Sequence, residues 1–99
     1  MKVIDLESTL RSPTAIQAVL VHQDGELKVL RMSVRKGAAL MRHRSNVPLS
    51  ILVLAGHGRL KTSGQSFELG PGVFCSLEAD RLHDVRADED LVLAVTKYG

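Results

Sequence analysis

Aromatic side chains are almost missing from this sequence: Phe67, Phe74 and Tyr98 are the whole complement, and there is no Trp in 99 residues. The core must therefore be aliphatic, built mainly on Leu and Val. Nucleic-acid binding by base stacking has no platform to use. Cysteine occurs once, at Cys75. A lone thiol makes no internal disulfide, which suits a reducing cytoplasm. No apolar run approaches the roughly 18 residues that cross a membrane as a helix. The first eleven residues carry Asp5 and Glu7 and lack the apolar stretch of a secretion signal. A strong charge of one sign is missing too: 13 bases stand against 11 acids, for a net +2. The densest basic run is Arg42-His43-Arg44, with no stripe of cations around it, and nothing resembles a helix-turn-helix. These absences predict a soluble cytoplasmic protein with no nucleic-acid or membrane partner.

What is present is a series of short extended segments. Residues 1–14 read as a leader, in which Asp5 to Leu10 has room for a helical turn or two before Pro13 ends it. Residues 15–99 read as one all-β domain. Ala15 to His22 is apolar and is followed by a turn at Gln23-Asp24-Gly25. Glu26 to Arg35 alternates, with Leu30, Met32 and Val34 on one face and Arg31, Ser33 and Arg35 on the other. Ala38 to His43 follows, and then Leu49 to Ala55, apolar enough to be buried on both faces. Arg59 to Thr62, Ser66 to Leu69, Val73 to Leu77, Leu82 to Ala87 and Leu91 to Lys97 complete the set, separated by turn signals such as Ser63-Gly64 and Gly70-Pro71-Gly72. Nine short strands with frequent turns and no long helix predict an antiparallel sandwich or barrel.

Two stretches carry a more specific pattern. Gly37 is followed after five residues by His43, then Arg44-Ser45; three residues on comes Leu49, and six more lead to Gly56. Gly72 is followed after five residues by Glu78-Ala79-Asp80; two residues on comes His83, and three more lead to Ala87. The spacing resembles the two motifs of the cupin superfamily: Gly, five residues, His-x-His, three or four residues, Glu, six residues, Gly; and Gly, five residues, Pro-x-Gly, two residues, His, three residues, Asn. The segments Phe67-Glu68-Leu69-Gly70-Pro71-Gly72 and Leu82-His83-Asp84-Val85 give the chain the texture of small single-domain bacterial cupins. The resemblance covers roughly Val29 to Thr96. It implies a single small antiparallel β-barrel, the double-stranded β-helix or jelly roll of RmlC-like proteins, commonly as a homodimer.

In metal-dependent cupins the two motifs supply three His and one Glu to a divalent ion, and the activity is of dioxygenase, isomerase or decarboxylase type. Here Ser45 stands at the second His and Leu49 at the Glu, so His43 and His83 are the two ligands that remain. About three protein ligands are usual for a catalytic zinc or iron. A zinc, nickel, iron or manganese ion held by His43 and His83 alone would be weak unless another residue joins them. Cys75 is the kind of residue that more often serves as a small buried hydrophobe. His57 lies between two glycines and reads as an exposed turn residue, His22 borders a hairpin, and Glu78 with Asp80 occupies a corner. By strand alternation, Met41 should share a face with His43, and Val85 with His83. His43, His83, Met41 and Val85 are therefore the expected wall of a small-molecule site. Arg42 and Arg44 should lie on the opposite face, exposed or in contact with an anion. Two readings of the histidine pair stay open: a remnant ligand pair or polar anchor for a small molecule, and two core histidines satisfied by each other or by water. Metal-free relatives that use His and Tyr as acid and base are a poor guide, because Tyr98 sits at the C-terminal edge.

Overall fold

Alternating apolar and polar residues, cut at short intervals by Gly, Pro and Asp, leave this chain few options besides a stack of short strands. The computed structural model describes residues 1–7 and 14–99. Nine strands follow one another: β1 (Ile16–Asp24), β2 (Leu27–Val34), β3 (Ala39–His43), β4 (Leu49–Ala55), β5 (Gly58–Thr62), β6 (Gln65–Leu69), β7 (Phe74–Leu77), β8 (His83–Ala87) and β9 (Leu91–Lys97). They form a five-stranded sheet in the order β1-β2-β9-β4-β7 and a four-stranded sheet in the order β3-β8-β5-β6. Every pairing is antiparallel.

All nine expected strands are present, with three adjustments. The fold is a jelly roll of two facing sheets rather than a closed barrel: among the described residues no strand pairs across from one sheet to the other. The first turn falls at Gly25-Glu26, because β1 runs on to Asp24, which pairs with Leu27. The strand buried on both faces is β9, not β4. Leu91, Val92, Leu93, Ala94 and Val95 are all buried, whereas Leu52 of β4 is exposed. In the sheet β9 lies at the centre, whereas β4 stands next to the four-residue edge strand β7. Half of the helical turn foreseen for Asp5 to Leu10 lies outside the described residues. Its described part, up to Glu7, has no regular structure, and Leu6 and Glu7 offer their carbonyls to Arg31 Nε of β2.

The core is aliphatic, as the shortage of aromatics requires. Val34, Leu49, Ile51, Val53, Leu60, Leu69, Val85, Leu91, Leu93 and Val95 form one buried cluster. Each such side chain contributes roughly 1.5–3 kcal/mol relative to exposure. Phe67, Phe74 and Tyr98 all lie outside it. The inward residues of β9 (Leu91, Leu93, Val95, Lys97) alternate along the strand and face the four-stranded sheet. The interior they enter is closed at one end by apolar packing and lined at the other by polar side chains.

Candidate functional site

The β3–β8 ladder places the two histidines. Leu40 pairs with Val85 and His43 pairs with His83, so β3 spends three residues where β8 spends two. This is a β-bulge. Its extra residue is absorbed at Arg42, which adopts a left-handed backbone at φ 49° while its N–H donates to Asp84 Oδ1 at 2.6 Å. The bulge resets the alternation. Leu40 and His43 both turn inward, and Met41 turns out, 61% exposed. The expectation that Met41 shares the face of His43 is thus corrected: simple alternation does not survive an inserted residue. Arg42 and Arg44 are exposed, as expected.

Between the sheets, His43 and His83 border a cavity of about 130 Å³. Its wall is mostly aliphatic, including Leu30, Met32, Leu49, Ile51, Val85 and Leu93. Ala18, Leu30, Met32, Leu40, His43 and Lys97 of the wall keep solvent exposure, while His83, Ile51, Val85 and Leu93 are buried. His43 and Lys97 are therefore the polar residues of the open side, the mouth. The two imidazoles meet edge to face, with centroids 5.3 Å apart and planes at 88°. His83 Nδ1 lies 3.1 Å from the carbonyl oxygen of Arg81. A carbonyl only accepts, so Nδ1 donates and its hydrogen is committed to that contact. His43 has no hydrogen-bonding partner among the described residues, which leaves its N–H and lone pair available to a guest.

Burial first, and then the neighbouring charges of His83 and Lys97, push the His43 pKa below its ordinary value near 6.5. A histidine held below its unfolded value binds fewer protons folded than unfolded. Its stabilising contribution is therefore present above about pH 6.5 and is lost as pH falls through the window beneath. The urea midpoint is expected to drop between about pH 7 and pH 5, and His43→Gln to flatten that part of the curve. Equal slopes in the two proteins would remove His43 as the cause.

The residues at the cupin ligand positions do not make up a metal set. Ser45 is buried, but its Oγ accepts the N–H of Val47 at 3.2 Å, and its carbonyl accepts the N–H of Asp80 at 2.7 Å. Leu49 is an apolar wall residue. The other candidates are elsewhere. His57 is exposed, with Nδ1 2.5 Å from Glu89 Oε1, and its carbonyl accepts the N–H groups of Asp88 and Glu89. Glu78 is exposed and pairs with Arg81, and the turn residue Asp80 has φ 62° where the motif has glycine. Half-buried Cys75 packs against the core, and burial pushes its thiol pKa up. His22 lies on β1, away from the cavity wall. Tyr98 faces the other side of β4, its OH 3.0 Å from Ser50 Oγ. Among the described residues no three His, Cys, Asp or Glu side chains come together.

Lys97 is the wall residue that the sequence reading passed over. It ends β9, and its Cα partners include Leu49 of β4, the residue at the motif's Glu position. The signal was available: Lys97 continues the inward series Leu91, Leu93, Val95 two residues at a time.

Solved structures share this architecture. An RmlC-like cupin protein from Desulfovibrio desulfuricans is 27% identical, with 98% of this chain and 95% of that one covered and a TM-score of 0.86. A Klebsiella pneumoniae protein with a double-stranded β-helix domain is 13% identical over 98% of this chain and 89% of its own, with a TM-score of 0.83. KdgF from Halomonas sp. is 21% identical over 92% and 86%, with a TM-score of 0.74. The last two bear on the fold alone. No protein-family model and no curated protein matches the chain.

Proposed function

The chain has the cupin fold, and on that premise we propose that it holds a small, largely apolar molecule in its interior cavity, with His43 and His83 as polar anchors and Val85 as part of the wall. The observation that carries this reading is the wall itself: nine aliphatic or thioether residues and three nitrogen-bearing ones, with no carboxylate and no hydroxyl. An apolar pocket with a few convergent polar groups is the usual form of a small-molecule site. Its size sets the guest's size. About 130 Å³ is well below the roughly 300–1,000 Å³ of drug-sized pockets and close to the roughly 150 Å³ that accepts one benzene ring.

The alternative is a metal-dependent enzyme of dioxygenase or isomerase type that uses His43, His83 and a third ligand. The donor set argues against it. Two imidazoles remain, Ser45 is committed to the backbone, and a lysine stands beside the position of the missing carboxylate. Protein purified without a histidine tag is expected to carry less than about one metal ion per several chains after dialysis, because two-ligand sites are weak. Iron, nickel, zinc or manganese found by elemental analysis at one per chain would overturn the binding reading in favour of the enzyme.

A further inference from the structure

Resting on the small-molecule reading of this cavity, we propose that the site selects anions: monocarboxylates with an apolar tail no larger than one ring, bound through Lys97. Three independent features converge on it.

The first is the polarity of the wall. Of its three polar side chains, Lys97 and His43 have donors that no described residue engages, the Nδ1–H of His83 is committed to the Arg81 carbonyl, and no acid balances them. The second is the state of Lys97. Among the described residues it has no carboxylate partner, although it is half-buried against an apolar wall. A cation in such a setting gains more from a charged partner than one in bulk water, because the low-dielectric wall screens it less. The third is register. Leu49 stands at the motif's carboxylate position, and the residue opposite it on β9 is Lys97. The position that carries a carboxylate in the motif is apolar here, and its cross-strand partner is a cation. The polarity that would attract a divalent cation is inverted, and it now suits the carboxylate of a guest.

The geometry allows a division of labour. The guest's ring occupies the aliphatic interior near Leu93 and Val85, and its carboxylate stays at the mouth, where Lys97 and His43 keep solvent exposure. One carboxylate oxygen takes the ammonium of Lys97. The other takes the N–H of His43, which has no partner among the described residues.

Benzoate and benzyl alcohol differ chiefly in charge, and calorimetric titration of both against the full chain and Lys97→Met tests the assignment. The full chain is expected to bind benzoate about 10-fold or more tighter than benzyl alcohol, the scale of one charge-assisted hydrogen bond. Lys97→Met is expected to lose that preference while binding benzyl alcohol within about 2-fold of the parent, and Lys97→Arg to keep it, which separates the charge from any folding defect at this position. Raising the salt concentration should weaken benzoate binding alone. If both probes bind equally and Lys97→Met changes neither, the anion site is overturned and the apolar cavity stands. If neither probe binds, the cavity reading itself fails.

Discussion

Gly56→Ala is expected to cost on the order of 3 kcal/mol, a fall of roughly 12–24 °C in midpoint at about 4–8 °C per kcal/mol for a domain of this size. Two costs coincide at this residue. Its backbone is left-handed, at φ 88°, where a side chain is disfavoured by roughly 1–2 kcal/mol. A Cβ there would also overlap the carbonyl oxygen of Asp90, with the Asp90 carbonyl carbon at 2.7 Å and Leu91 Cα at 3.0 Å. All three are backbone atoms and cannot rotate away. Gly64→Ala is the control. Its φ is 78°, but nothing lies within 4 Å of the added Cβ, so it should cost only the conformational part, about 1 kcal/mol. Equal losses in the two variants, measured by thermal or urea unfolding, would show that the contact with Asp90 yields. The clash explains why a glycine closes the first motif here. The corner between β4 and β5 packs directly on the turn that opens β9, and so helps to set the alignment of β4 with β9 that faces Leu49 toward Lys97.

That alignment marks the boundary of what the sequence could reveal. The nine strands were legible because Gly, Pro and Asp cluster between the apolar runs, and turn chemistry acts over a few residues. The aliphatic core was legible by elimination, once Phe67, Phe74 and Tyr98 were recognised as the entire aromatic stock. His43 and His83 were legible because motif spacing counts residues, and counting does not depend on which way a side chain points. Direction is another matter. Met41 was placed inside by alternation, but the bulge at Arg42 is held by Asp84, 42 residues away in the chain, and no local rule could announce it. Lys97 was missed for a different reason. A lysine at the end of a strand reads as a solvated terminus until the sheet order puts β9 at its centre. Both misreadings concern the mouth of the cavity, where long-range pairing rather than local pattern decides which residues meet.

Leu93→Ala should separate the packing role of the cavity wall from its binding role. Leu93 is fully buried on the central strand, opposite Met32 on one side and Val53 on the other, and its side chain borders the cavity. Truncation removes buried surface and leaves a void, a change that costs about 2–5 kcal/mol in aliphatic cores. A domain of this size has only about 5–15 kcal/mol in total, so the variant should be folded but visibly weakened. The void adjoins an existing cavity of about 130 Å³, and neighbouring volumes merge instead of staying separate. A two-ring guest too large for the parent, such as 2-naphthoate, should therefore bind Leu93→Ala. At 100 times its dissociation constant it should return about 2.7 kcal/mol of the lost stability, while leaving the parent's midpoint unchanged. Lys97 is untouched by the substitution, so the neutral analogue 2-naphthol should bind the variant more weakly than 2-naphthoate. A Leu93→Ala protein that loses stability but gains no affinity for either probe would mean that the wall collapses into the space, and the cavity would then owe its volume to Leu93 alone. Recovery by 2-naphthoate and not by 2-naphthol would instead place ring recognition in the aliphatic interior and charge recognition at the mouth, two functions carried by different ends of the same strand.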